Sequence, residues 1–302
     1  MPSEVDLIEI LRTHAGAVRT DVVLGIGDDA AVVQPRAGHD LVLCTDTLVA
    51  GVHFPTDTPA EAIGHKALAV NLSDLAAMGA EPTWALLCLT LPEPDADWVR
   101  SFASGLGALA ERFGVQLIGG DTTRGPLSIT VQLAGEVPTG GALRRGTAKA
   151  GDALFVSGPI GDAALALTIL QRGDLVPAAL RERLDRPEPC IELGLSLRGI
   201  ATAAIDVSDG LLTDLARLLH GTGFGATVDV ESLPRSAAFV AGGGVAGMQL
   251  YGGDDYELLF AAPADAGFGV RIGTVEATPG IVCVDRAGRP LVIDGKGYDA
   301  FR

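Results

Sequence analysis

The chain has 302 residues, with 22 basic and 38 acidic side chains and a formal charge of −16. A hydrophobic share of 48% beside 20% charged residues excludes an intrinsically disordered chain, which lacks the apolar surface to offset the entropy of ordering. The acidic excess argues against a general nucleic-acid binder or a peripheral binder of anionic membranes, both of which need a basic surface.

In chain order, a first helix is expected over residues 4–13, capped by Ser3 and carrying Leu7, Ile10 and Leu11 on one face. Apolar runs then predict strands over 40–44, 84–91, 115–118 and 128–134, with helices over 60–78 and 96–113 between them. The stripe Leu68, Leu72, Leu75 and Met78 is expected in a core or a subunit interface. A Gly- and Arg-rich stretch, 138–151, separates a second series: strand 153–156, helices 162–171 and 191–203, strand 204–207 and helix 211–220. Strands near 226–230, 257–261, 271–275 and 281–284 follow, and 241–247 is expected to be a flexible loop. This is an α/β (α+β) pattern in two domains, 1–140 and 150–302.

Cys44, Cys88, Cys190 and Cys283 form no C-x-x-C pair, so neither a zinc knuckle nor a redox motif is indicated. Buried free thiols in a reducing cytosol are expected. The start, Ser3-Glu4-Val5-Asp6, lacks a basic segment followed by an apolar run, and no stretch reaches the roughly 18 apolar residues of a membrane span. A cytoplasmic protein with no membrane partner is expected.

The acidic excess is mostly aspartate, 25 Asp against 13 Glu. Asp favours turns, caps and metal sites, and many of these residues lie beside Gly, where turn chemistry is the plain alternative. Five acidic clusters, Gly25–Ala30, Thr45-Asp46-Thr47, Asn71–Asp74, Gly119–Thr123 and Asp206–Gly210, are expected at strand ends or helix starts. If they met in space they would repel by several kcal/mol even at an effective dielectric of about 20, so they would need divalent cations. Carboxylates, hydroxyls and carbonyls are hard oxygen donors that suit Mg²⁺ rather than zinc, and magnesium held by many carboxylates commonly holds a polyphosphate. Gly25-x-Gly27-x-x-Ala30 also fits a loose dinucleotide pattern, but Asp28 and Asp29 would repel a pyrophosphate seated on that turn. The three lysines, Lys66, Lys149 and Lys296, lie outside any phosphate-loop context.

Taken together, Gly25–Ala30, Thr45–Phe54, Lys66–Ala80, Leu117–Gly125, Ile205–Leu211, Gly252–Leu258 and Lys296–Asp299 resemble the motifs of the thiamine-monophosphate kinase family, in that family's order and over nearly the whole chain. The resemblance implies the two-domain fold of the aminoimidazole ribonucleotide synthetase-like enzymes. It also implies transfer of the γ-phosphoryl of ATP to thiamine monophosphate, with several Mg²⁺ ions and a homodimer built through the N-terminal domain. The acceptor is itself a phosphate oxygen, so no protein nucleophile is needed, and catalysis rests on positioning and charge neutralisation.

Position by position, the resemblance implies that Asp29, Thr45, Asp46, Asp74, Asp121, Asp206 and Asp209 are magnesium ligands. It matches Gly120, Asp121, Arg145 and Ser208 to nucleotide contacts, and His53, Asp254 and Tyr298 to contacts with the thiamine moiety. Asp46, Asp121 and Arg145 would be the electrostatic and positioning groups. Two departures stand out: Asp254 replaces the Glu of some members, and Cys44 precedes Thr45 where a hydroxyl residue also occurs. Each residue has a plainer reading: His53 as a turn histidine, Tyr298 as packing for the tail, Arg144 and Arg145 as surface charges. Asp162 is expected to cap the helix after Gly161, and Asp214 to be solvated one turn into its helix. The competing functions are a related ATP-using synthetase and a non-catalytic Mg-nucleotide-binding regulator. Absence of a Cys before Cys44 disfavours the first, and the joint presence of His53, Asp254 and Tyr298 disfavours the second.

Overall fold

Ser3 starts α1 (Glu4–Thr13) through a reciprocal capping box: its hydroxyl accepts the Asp6 N–H at 3.3 Å, and the Asp6 carboxylate accepts the Ser3 N–H at 2.8 Å. This satisfies two of the donors that a helix start leaves open. The structure, a computed structural model, describes residues 2–298 and 300. It divides into two units, Met1–Leu75 with Ala80–Gly140, and Ala76–Gly79 with Gly141–Arg302.

In the first unit the chain continues through β1 (Val22–Leu24), β2 (Val32–Val33), β3 (His39–Val49), α2 (Ala60–Ala77), β4 (Glu81–Leu91), α3 (Ala96–Arg112), β5 (Gln116–Arg124) and β6 (Ser128–Pro138). The main sheet has the order β3-β6-β4-β5, and only β4 and β5 run parallel. Alternation sends Leu87, Leu89, Val131 and Leu133 to one face, where they are buried. On that side α2 and α3 touch backbone to backbone: a Cβ on Gly105 would lie 1.9 Å from the Glu61 carbonyl oxygen, so only glycine fits. Leu68, Leu72 and Leu75 of α2 are fully buried, which makes the expected stripe core. The opposite face carries Leu41, Leu43, Thr45, Thr47 and Cys88 in the open. At one end of it, Val22 and Val33 of the small β1–β2 pair cover Trp84, Ile118 and Ala134.

The second unit holds β7 (Ala153–Val156), α4 (Asp162–Gln171), α5 (Ala178–Asp185), α6 (Ile191–Ser196), β8 (Ala203–Val207), α7 (Leu211–Leu218), β9 (Gly225–Asp229), α8 (Ala237–Ala241), α9 (Ala246–Tyr251), β10 (Glu257–Ala262), β11 (Val270–Glu276) and β12 (Ile281–Val284). Its six-stranded sheet runs β12-β9-β11-β7-β10-β8, antiparallel except for β12 on β9. Leu154, Val156, Ile205, Val207, Leu259 and Ala261 form its buried centre together with Leu211, Leu215 and Leu218 of α7.

Several sequence expectations need correction. The Thr45-Asp46-Thr47 and Gly119–Thr123 clusters lie inside β3 and β5 rather than beyond strand ends, because β6 and β4 supply ladder partners along their full length. The helix expected over 191–203 stops at Ser196, ahead of a turn at Gly199 with φ +74°. The 241–247 loop shrinks to 242–245 between α8 and α9. The four cysteines are free, but Cys283 alone of them is buried and Cys88 is exposed on the open sheet face. Among the described residues no helix is long and apolar enough to cross a membrane.

Candidate functional site

In the first unit, Gly25–Ala31 and the strand segments Leu86–Cys88 and Leu117–Thr122 enclose a cavity of about 610 Å³. It brings Asp28 and Asp29 to the same space as Gly120 and Asp121. These three carboxylates are exposed, and the one hydrogen bond among them is from the Asp29 N–H to the Asp28 carboxylate at 2.8 Å. Gly120 has φ +148°, and a Cβ there would sit 1.8 Å from the Leu87 carbonyl oxygen. Glycine at this position is thus required by the β4–β5 approach itself.

Thr45 and Asp46 stand on β3, three strand spacings from Asp121, roughly 14 Å by strand geometry. As neighbours in one strand they project to opposite faces: the Thr45 hydroxyl donates to the Val131 carbonyl at 3.2 Å. Asp46 shares its face with Cys44, whose thiol reaches the Asn71 carbonyl on α2 at 3.4 Å. Asp74 follows Asn71 by one helical turn on α2. His53 is held in a turn: its N–H donates to the Val49 carbonyl at 3.0 Å, and its Nδ1 accepts the Val49 N–H at 3.0 Å. The neutral ring therefore carries its proton on Nε2. The buried Lys66 ammonium donates to the His53 carbonyl at 3.1 Å.

In the second unit three backbone hydrogen bonds converge on the segment after β8. The Tyr256 N–H donates to the Val207 carbonyl at 2.8 Å, Asp254 to Ser208 at 2.9 Å, and Tyr298 to Asp209 at 3.1 Å. Ser208, Asp209, Asp254 and Tyr298, far apart in sequence, thus form one group. Asp254 and Tyr256 adopt left-handed backbone, φ +66° and +52°, and the Tyr256 hydroxyl donates to the Asp254 carboxylate at 2.9 Å. Such conformations persist where surrounding contacts over-determine them, and they cluster at functional sites. Asp206 pairs with Leu258 in the β8–β10 ladder and is largely buried.

Asp214 is not solvated, contrary to the sequence expectation: it is 1% exposed. One of its oxygens accepts the Ser208 and Asp209 N–H groups at 3.1 and 3.0 Å, and the other accepts Arg217 Nη1 at 2.9 Å. Burial raises its carboxyl above the usual range despite these donors. Arg217 also bonds Asp209 through the same nitrogen. The sequence signal for Asp214 was present: it lies within the apolar stripe Leu211, Leu215 and Leu218, where a carboxylate must be buried. Arg145 lines a cavity of about 620 Å³ together with Thr213, Ala216, Arg217 and His220.

Asp162 does not cap α4 with its side chain. The N-cap is Gly161, whose N–H goes to Asp255 at 2.8 Å, while Asp162 accepts the Ser236 hydroxyl at 2.7 Å. Arg183 binds Glu257 at 2.7 Å and lies 4.0 Å from Asp162. With three carboxyls near one guanidinium, burial pushes the Asp255 carboxyl well above its ordinary value. Burial, reinforced by Glu257, lifts the Cys190 thiol to about 12 and leaves it unreactive.

Among the described residues no three His, Cys, Asp or Glu side chains stand close enough to hold a metal ion as they are placed. The carboxylates of Asp28, Asp29 and Asp121 are nevertheless hard oxygen donors suited to a divalent cation, with the exposed Cys88 thiol opposite Asp121 as a soft donor in the same cavity.

The family models for AIR synthase related protein match residues 27–137 with the N-terminal domain and 149–285 with the C-terminal domain. The thiamine-monophosphate kinase of Salmonella typhimurium is 45% identical over 319 residues, spanning 99% of this chain and 98% of that protein. The chain belongs to the thiamine-monophosphate kinase family. Its Caulobacter vibrioides relative is 37% identical over 99% of this chain and 87% of its own length. A crystal structure of thiamine-monophosphate kinase from Stenotrophomonas maltophilia K279a superposes with a TM-score of 0.87 at 46% identity, covering 96% of this chain and 98% of that one. The structure named "AaThiL complexed with AMPPCP and TMP" gives 0.81 at 32% identity, with 89% of each chain covered. A hydrogenase maturation protein HypE in complex with ATP shares the fold, at 0.78 and 20% identity over 96% of this chain and 94% of that one.

Proposed function

We infer that this member of the family transfers the γ-phosphoryl of ATP to thiamine monophosphate, giving thiamine diphosphate and ADP. The observation that carries this reading is similarity to thiamine-monophosphate kinases along essentially the whole chain, extending to a structure bound to an ATP analogue and TMP. The acceptor oxygen is already ionised, so the protein's work is to position two anions and offset their charge.

In the first unit, the proposed roles are cation ligation by Asp29, Thr45, Asp46, Asp74 and Asp121, nucleotide contact by Gly120 and Asp121, and thiamine contact by His53. In the second, Asp206 and Asp209 are proposed cation ligands, Arg145 and Ser208 nucleotide contacts, and Asp254 and Tyr298 thiamine contacts. The all-oxygen donor set favours Mg²⁺, which when bound neutralises phosphate charge and brings the phosphates together. His53, with its proton on Nε2, offers a donor to the acceptor. Arg145 supplies a fixed positive charge.

A homodimer formed through the first unit belongs to the same proposal, supported by the open sheet face on which Leu41 is 46% and Leu43 64% exposed. Consumption of ATP and four free thiols support a cytoplasmic setting. The test is incubation of the purified protein with Mg²⁺, ATP and thiamine monophosphate. Thiamine diphosphate and ADP are expected in equal amounts, and ADP without the diphosphate would overturn the acceptor assignment.

A further inference from the structure

We propose that Arg217 is a phosphate-binding residue and that, with Arg145, it forms a cradle for the polyphosphate of the nucleotide along one side of α7. The proposal rests on the ATP-dependent reading above and extends it to a residue that reading does not contain. Thr213, Arg217 and His220 recur at the three- and four-residue spacing that stacks side chains on one helix side, and with Arg145 they line the cavity of about 620 Å³. Among the described residues no carboxylate lines it. In a chain of charge −16, two guanidiniums on one cavity with no carboxylate among its described lining residues mark a place prepared for an anion.

The donors of the two arginines are aimed accordingly. Arg217 makes both of its ion pairs, to Asp209 and Asp214, through Nη1. Its Nε and Nη2 have no protein acceptor among the described residues, which leaves a pair of N–H groups for a phosphate. Arg145 makes no hydrogen bond or ion pair among the described residues. Its backbone is nevertheless fixed beside the helix: the Gly146 N–H donates to the Leu218 carbonyl at 2.8 Å, and the Ala204 N–H to the Arg144 carbonyl at 3.3 Å.

The contact of Arg217 with Asp209 gives the cradle a second property. Asp209 is a proposed cation ligand, and Arg217 supplies its positive partner in this structure. A cation that takes over Asp209 leaves the guanidinium held by Asp214 alone and short of one anion. A polyphosphate carrying its own divalent cation satisfies both groups in one event, so the two ligands bind cooperatively.

The test titrates the full chain calorimetrically with inorganic tripolyphosphate and, separately, adenosine, each in EDTA and in Mg²⁺, for wild type, Arg217→Gln and Arg217→Lys. Arg217→Gln is expected to weaken tripolyphosphate about 10-fold or more, to leave adenosine unchanged, and to reduce the gain that Mg²⁺ brings. If Arg217→Gln proves unstable, Arg217→Lys decides, because it keeps the charge but not the paired N–H groups: weaker tripolyphosphate binding supports the cradle, and wild-type binding overturns it. Tripolyphosphate affinity within twofold of wild type in Arg217→Gln, or none in the wild type, also overturns it. A protein that binds tripolyphosphate through Arg217 yet forms no thiamine diphosphate would refute the acceptor assignment and leave the cradle standing. Normal kinase activity with polyphosphate binding indifferent to Arg217 would refute the cradle alone.

Discussion

Asp121 in the first unit and Asp209 in the second are the same side chain in similar Gly- and Asp-containing motifs, yet they are balanced in opposite ways. Asp121 stands exposed on β5, borders a cavity with Asp28 and Asp29, and has no ion pair among the described residues. Asp209 carries Arg217 on its carboxylate and sits on a loop pinned from beneath by Asp214. The first arrangement leaves charge for an external cation to neutralise. The second is neutralised within the chain, and a cation proposed for that carboxylate would compete with a guanidinium already on it.

The largest effect expected from this contrast is on turnover. Asp121→Asn should reduce it by more than about 100-fold, beyond the range seen when only an outer partner of a metal ligand is lost, without lowering the melting temperature, because the change relieves repulsion. Steady-state kinetics beside thermal melts would check this, and near wild-type turnover would remove Asp121 from the cation site. Next, Asp214→Ala should cost about 3 kcal/mol in chemical denaturation, since it strands the Ser208 and Asp209 N–H groups and part of the Arg217 charge. A loss below about 1 kcal/mol would mean that the loop does not depend on its buried carboxylate. Gly120→Ala should cost about 2 kcal/mol by forcing β4 and β5 apart, read from the same denaturation curves. A neutral outcome would show that the strands yield there.

The smallest effect is on the pH dependence of stability. The folded Asp255 carboxyl lies above its unfolded value, so the native state favours the proton. The associated stability is present below the unfolded carboxyl range and is lost as pH rises through the folded value. Asp255→Asn mimics the protonated form and should gain on wild type as pH increases. Urea midpoints between about pH 4 and 8 would test it, and parallel curves would show that Arg183 keeps Asp255 charged throughout.

The elements that announce themselves by local chemistry were legible: Ser3 as the cap of α1, the exact apolar run of β12, the periodicity of α2 and α4. The polar strand segments were not. Thr45-Asp46-Thr47 and Gly119–Thr123 look like turns in isolation and become strands only through β6 and β4. β1 and β2 are too short to register, and α5 follows Pro177 with an Arg- and Glu-rich sequence of weak apolar contrast. For the site, the sequence groups acids by their chemistry but does not show which of them share a space. Asp28, Asp29 and Asp121 do so because β5 extends past Ile118. Asp214, expected to be solvated, takes its role from Arg217 three residues on and from the N–H groups of the Ser208-Asp209 loop just before the helix, a set of contacts that no single position shows.

The burial of Lys66 has a practical consequence for handling this protein. With only three lysines in the chain, and Lys66 1% exposed, the side-chain amines open to acylating reagents are Lys149 and Lys296, both exposed and both in the second unit. Coupling to an amine-reactive surface or dye through lysine would therefore tether that unit and leave the open sheet face of the other unmodified.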